Sequence, residues 1–338
     1  MASLFRLILL AAAVAAGCGE DAAPSVPSSP TSPTPPSQAV GCARTAVGLT
    51  PLSDLGSGAY QGRTGGLYPN GSNARPGPHE SEGLNRARAI VPMDRDGRPD
   101  PNGRYVLASL GMSNTTQEFS TFKPLADADA TRDSHLVVVD GAQGGQTAML
   151  WSSPGCACWT TLDARLSGAG VTAAQVSVIW MKHADAGPTG GFPSHVQTLQ
   201  NELASILSIL SGKFPNLRLV YLSSRIYAGY ATSTLNPEPY AYESGFAVKW
   251  LVEGQINGAA ELAYTSGGMG GGIPWIAWGP YLWADGMTPR RDGVTWACSD
   301  LSASDGTHPS TSGQRKVADM LLTFFQTDST ARAWYLAR

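Results

Sequence analysis

The chain has 338 residues, 23 Lys+Arg against 26 Asp+Glu, a net charge of −3 and 42% hydrophobic residues. That apolar content excludes a disordered chain, and the lack of a basic excess excludes the electrostatic footprint of a nucleic-acid binder. Charged residues are only 14%, against about 25% in an average soluble domain. With 39 Gly and 24 Pro, this predicts a neutral, loop-rich surface of the kind that suits an exported protein.

The N-terminus is read as an export signal. Arg6 precedes an apolar run over 7–16, too short for an ordinary membrane-spanning helix but of signal-peptide length. Ala15-Ala16-Gly17-Cys18 resembles a bacterial lipobox. Residues 1–17 are therefore expected to be removed and Cys18 lipidated. Gly19, not Asp, follows Cys18, which favours outer-membrane or surface display in a Gram-negative cell. Residues 18–41 hold six prolines among Ser and Thr. Such a segment cannot bury a core and favours extended conformations, so it is read as a tether to the cell envelope. The lipid is the only membrane contact expected. Residues 42–338 form the expected folded domain.

The remaining cysteines are Cys42, Cys156, Cys158 and Cys298. An even number in an exported chain implies two disulfides. One residue separates Cys156 from Cys158, which would strain a direct bond, so each is expected to pair with Cys42 or Cys298. No His pair at metal-ligand spacing accompanies the C-x-C, and no metal is expected.

From residue 104, short apolar runs alternate with amphipathic stretches. Residues 104–112 (RYVLASLGM), 135–140 (HLVVVD), 175–181 (QVSVIWM), 217–222 (LRLVYL) and 274–278 (PWIAW) read as strands covered on both faces. A helix follows Ser194, with Val196, Leu199, Leu203, Ile206, Leu207 and Leu210 on one face, and stops at Gly212. The last helix starts near Ser312, with Val317, Met320, Leu321, Phe324 and Phe325 inward. Alternating β and α elements predict a mostly parallel sheet with helices on both sides. Ligands on such sheets bind beyond the carboxyl ends of the strands.

Polar or glycine-rich clusters stand at those ends. The first strand runs into Gly111-Met112-Ser113-Asn114 and a helix-like stretch. A serine at a strand-to-helix turn can present its hydroxyl beside a helix N-terminus that favours negative charge. The second runs into Asp140-Gly141-Ala142-Gln143-Gly144-Gly145-Gln146-Thr147, where glycines let backbone amides approach a reacting atom. The third ends in Lys182-His183-Ala184-Asp185. Before the last helix stand Asp305-Gly306-Thr307-His308-Pro309. An Asp three residues before a His can orient the imidazole while the other ring nitrogen faces a nucleophile.

Together these clusters resemble the SGNH (GDSL-like) hydrolase family over roughly residues 104–326. The resemblance implies a flavodoxin-like, three-layer α/β/α sandwich. It implies Ser113 as nucleophile and Asp305 and His308 as the D-x-x-H block. Asp140 to Thr147 match the spacing of N-x-x-x-x-G-x-T, which puts Gly145 at the oxyanion hole with the Ser113 amide. Two departures stand out: Met112 replaces the acidic residue of G-D-S, and the third block lacks its Asn. Aligning Trp180 on the W-x-Q-G-E of related sugar O-acetylesterases puts Lys182 at the Gln, as a candidate third oxyanion donor. Asn114 is the other candidate donor and a substrate contact. No cofactor is implied.

Substrate signals are weaker. Trp275, Trp278, Tyr281, Trp283 and Trp296 suit sugar rings, acyl chains or a core. Arg225 follows the fourth strand, where it can bind a substrate carboxylate or pair with Glu238 or Glu243. The run from Asn236 to Glu243 (NPEPYAYE) is distinctive but without an evident role. The expectation is a serine carboxylic ester hydrolase, with surface carbohydrate O-acetyl esters as one substrate class. The alternatives are a lipase or thioesterase on longer acyl chains, and a non-catalytic glycan-binding lipoprotein on the same fold.

Overall fold

Five strands form one parallel sheet: β1 (Tyr105–Gly111), β2 (Leu136–Val139), β3 (Val176–Lys182), β4 (Leu219–Leu222) and β5 (Trp275–Trp278). The structure is a computed structural model and describes residues 41–264 and 272–337. The expected signal peptide, Cys18 and nearly all of the tether lie outside the described residues. Every residue of β1, β3, β4 and β5 is buried, as strands covered on both faces require.

Strand order is β2-β1-β3-β4-β5, all parallel. The chain leaves β1 for β2 on one side, then returns to β3 on the other. Right-handed crossovers then place the β1–β2 helix on one face and the later crossover helices on the other. The first layer is α2 (Ser113–Ala128), α6 (Thr311–Thr327), α7 (Ser329–Tyr335) and α1 (Gly77–Arg88), which pack in that series. The second holds α3 (Ala157–Gly168), α4 (Ser194–Lys213) and α5 (Tyr240–Ile256). The result is the expected three-layer α/β/α sandwich.

The six apolar residues expected on the inner face of α4 are all buried. Its boundaries differ slightly: Ser194 is the first helical residue after Pro193, and the helix runs one residue past Gly212. On α6, Val317, Leu321 and Phe325 are fully buried, with Met320 and Phe324 packed partly against the core. Among the described residues, no helix is long and apolar enough to cross a membrane.

One expectation is corrected, and one choice between alternatives is resolved. The disulfides are Cys42–Cys298 and Cys156–Cys158. The second closes because Cys156 is still extended while Ala157 opens α3, leaving the Cα atoms 5.1 Å apart, inside the range that a disulfide bridges. The aromatic residues at 275, 278, 281, 283 and 296 are all buried. Their polar edges are used internally: Trp275 donates to the His79 carbonyl, Trp278 to Leu67, and Trp296 to Leu282. They are core residues.

Candidate active site

Helix α2 begins one residue beyond β1. Met112 is extended and Ser113 is the first helical residue, so the chain turns sharply at the carboxyl end of the sheet. The order of strands reverses around β1 and β3, which is where open α/β sheets leave a crevice. The Thr116 amide is the first to bond back into the helix, to the Met112 carbonyl. The amides of Ser113, Asn114 and Thr115 precede it and have no partner within the helix, so this end favours negative charge.

The sequence-predicted triad is assembled. Ser113 Oγ is 2.7 Å from His308 Nε2, and His308 Nδ1 is 2.6 Å from Asp305 Oδ2. The other oxygen of Asp305 accepts from the backbone amides of Thr307 and His308 at 2.8 and 2.9 Å. The carboxylate therefore fixes both the imidazole and the loop that carries it. Burial pushes the Asp305 carboxyl up, but those two amides and the His308 ring outweigh it and hold it below its ordinary range. His308 and Asp305 are 23% and 27% exposed and Ser113 is half-buried, so the three residues are open to solvent.

The first turns of α2 are anchored residue by residue to every neighbouring loop. Asn114 donates to the Thr307 carbonyl at 3.0 Å, next to His308. Thr115 donates to the Lys182 carbonyl at 2.7 Å. The Thr116 hydroxyl donates to Asp140 at 2.5 Å. Glu118 takes the Lys182 ammonium on both oxygens, each at 2.5 Å. Gly111 must be glycine here: a Cβ would lie 2.3 Å from Thr115 Oγ1 and 2.4 Å from the Lys182 carbonyl oxygen.

Asp140 organises the glycine loop. It accepts from Ser109 at 2.6 Å and from Thr116, and the Ala142 amide bonds back to it. Ser109 also takes the amides of Gly141 and Ala142. Burial pushes the Asp140 carboxyl up, against the opposing bonds from Ser109 and Thr116. Within the loop, Gly144 is the residue beside the nucleophile: a Cβ on it would be 3.9 Å from Ser113 Cβ. Gly145 has a positive φ of 76° and open space around it. The sequence pattern selected Gly145; its neighbour Gly144 is the glycine set against Ser113. Thr147 ends the loop by capping the Leu150 amide.

Lys182, Asn114 and Arg225 take other roles than expected. Lys182 is 1% exposed and its ammonium is committed to Glu118, which corrects its assignment as an oxyanion donor. Asn114 is 1% exposed and ties the histidine loop to α2, so it is an anchor and no substrate contact. Arg225 is 2% exposed, which removes it from any substrate surface. It is not paired with Glu238 or Glu243 either. Glu238 accepts from the Ala228 and Tyr242 amides and from Trp283, and Glu243 from Tyr60 and His195. The 236–243 run thus shapes the start of α5. Arg225 Nε and Nη2 have no partner among the described residues, and the guanidinium lies in the fields of Glu118, Glu238 and Asp305. His183 is buried beside Trp151, and burial pushes its imidazole down to about 3.

A cavity of about 400 Å³ adjoins the loop at Thr147, lined also by Met149, Leu150, Asp185 and Glu202. Ser113, Asp305 and His308 are not among the residues that line it. A larger one of about 990 Å³ lies along the outer face of α6, and none of Ser113, Asp305 or His308 lines it. Among the described residues, no group of three or more His, Cys, Asp or Glu is placed to hold a metal.

No protein-family model matches the sequence, and no curated protein is found similar to it. Solved structures share parts of the fold. Protein YxiM of Bacillus subtilis is 12% identical, with a TM-score of 0.37 over 68% of this chain and 58% of its own. A gut microbial diltiazem-metabolizing enzyme is 14% identical, with a TM-score of 0.36 over 70% of this chain and 48% of its own. The periplasmic domain of a Salmonella ser. Paratyphi A lipopolysaccharide acetyltransferase is 13% identical, with a TM-score of 0.36 over 66% and 83%. The chain spans less than two thirds of the first two. Likeness of this degree carries no statement about activity.

Proposed function

We propose that this protein is a serine hydrolase of carboxylic esters. The observation that carries the reading is the hydrogen-bonded chain Ser113–His308–Asp305, standing at a helix N-terminus at the carboxyl end of the sheet. His308 Nε2 takes the Ser113 proton as the hydroxyl oxygen attacks the ester carbonyl. Asp305 holds the Nδ1–H and stabilises the imidazolium that forms. The oxyanion develops against the Ser113 amide and the Gly144-Gly145 loop. His308 then returns the proton to the departing alcohol, and water repeats the sequence on the acyl-enzyme. One oxyanion donor typically contributes about 10²–10³ in turnover.

The substrates we propose are esters with short acyl groups, acetyl esters of carbohydrates among them, a preference suggested by the resemblance of the segment at Trp180 to sugar O-acetylesterases. Hydrolysis of a nitrophenyl ester series tests this. The expected optimum is two to four carbons, and a preference for more than about eight would contradict it. We further infer envelope anchoring through Cys18. Labelled palmitate should appear on the wild-type chain and not on Cys18→Ser, and equal labelling of both would remove the anchor.

A further inference from the structure

The most concentrated buried charge outside the triad sits directly behind it. Glu118 is fully buried and Lys182 is 1% exposed, and they meet through both carboxylate oxygens at 2.5 Å. Burying two charges costs several kcal/mol per ion, so a hydrophobic pair of the same volume is often the more stable choice. Stability alone is thus a poor reason for these residues.

Their placement gives a better one. Lys182 ends β3, in register with Gly111 at the end of β1. Its carbonyl takes Thr115 and its ammonium takes Glu118, one turn apart on α2. A single residue therefore pins both turns that follow Ser113. Glu118 also lies in the field of His308, with the sign that makes carboxylate and imidazolium attract. The other charges around His308 are Asp305 on its own loop, and Arg225 beyond β4, facing Glu118 and Asp305. On α6, Arg315 is tied to Asp319 and Lys316 to Asp300.

We infer that Glu118 and Lys182 are a positioning pair for catalysis: the pair locks the first turns of α2 onto β3, and its carboxylate favours the positive charge that His308 acquires when Ser113 is activated. The inference rests on the triad reading above. Substituting Glu118→Gln keeps the shape, removes the negative charge and leaves the Lys182 ammonium uncompensated behind His308. Both effects disfavour imidazolium.

The test is the rate of fluorophosphonate labelling of Ser113 as a function of pH, in the full chain, for wild type, Glu118→Gln and the Glu118→Gln/Lys182→Met double variant. In Glu118→Gln the plateau rate should fall about tenfold or more, and the pH midpoint should move down by about half a pH unit or more. The double variant, with neither charge, should label more slowly than wild type while its midpoint returns toward the wild-type value. An unmoved midpoint in folded Glu118→Gln overturns the inference, whatever its rate, because a structural role lowers stability without moving that midpoint. Should Glu118→Gln not fold, the double variant decides: a slower plateau rate at the wild-type melting temperature supports the inference, and a wild-type rate, or a rate that falls only together with the melting temperature, overturns it. Wild-type protein that does not label at all overturns the triad reading instead, which keeps the two failures apart.

Discussion

At the scale of single residues, Asp305 has the most defined job. Its two oxygens serve different masters: one the imidazole, the other the backbone of the loop. Asp305→Asn should keep the loop bonds but favour the wrong imidazole tautomer, lowering ester turnover by about 10⁴. The check is kcat against a thermal melt, where Tm should change little. The depressed carboxyl also gives a sign. Stability from Asp305 is fully present above its ordinary value of 3.8 and is lost as pH falls through its lower folded value. Acid loss of activity at pH 5 or above must therefore come from another group. The Asp305–His308 contact was legible in the sequence because D-x-x-H is local: three residues apart in one loop are close in any fold. Lys182 was misread because its partner Glu118 is 64 positions away, and no spacing rule connects the end of one strand to the second turn of a helix that follows another.

At the scale of elements, the site is a device for fixing the N-terminus of α2. Strand β1 delivers Ser113, β3 delivers Lys182, and the loop after β2 is tied down by Asp140. One tight point is Gly111, where a side chain would meet Thr115 and the Lys182 backbone. Gly111→Ala should cost about 1–3 kcal/mol in denaturant unfolding and should lower kcat as well, since the strain falls on the turn after Ser113. Unchanged stability would show that β1 and α2 are not held so closely. The strands were legible as continuous Val, Ile and Leu runs, and α4 by its apolar repeat. Helices α3 and α5 were not given positions, and α1 and α7 were not seen at all. Helix α7 has only seven residues, too few to display a period, and α1 carries few apolar residues, among them Leu84 and Ala87. The acidic and glycine-rich loops were found as clusters, but which glycine approaches Ser113 depends on a backbone turn that composition does not encode.

At the scale of the whole molecule, Cys42–Cys298 joins residues 256 positions apart, while Cys156–Cys158 encloses a single residue. Cross-linking removes more unfolded-state entropy the longer the loop. Replacing Cys42 and Cys298 by Ser should therefore cost up to about 5 kcal/mol and replacing Cys156 and Cys158 far less, measured by denaturant midpoints. Equal losses would contradict the pairing. Counting cysteines gave two bridges correctly. The partners were missed because the start of α3 brings Cys156 and Cys158 into bonding range, a local geometry invisible in C-x-C itself. Buried His183 sets a second global property. Its folded value of about 3 lies below the ordinary 6.5, so the unfolded chain binds more protons between those values and stability falls as pH drops through that window. His183→Leu should flatten this slope, and a slope unchanged in the variant would assign the acid sensitivity to other groups.

The proposed function requires Ser113, activated by His308, to be a nucleophile. Fluorophosphonate labelling followed by peptide mass analysis measures it directly. Wild-type protein should gain one adduct on the peptide carrying Ser113, with none on Ser113→Ala and little on His308→Ala. Absence of an adduct on the wild-type chain, or an adduct that persists on Ser113→Ala, would contradict it.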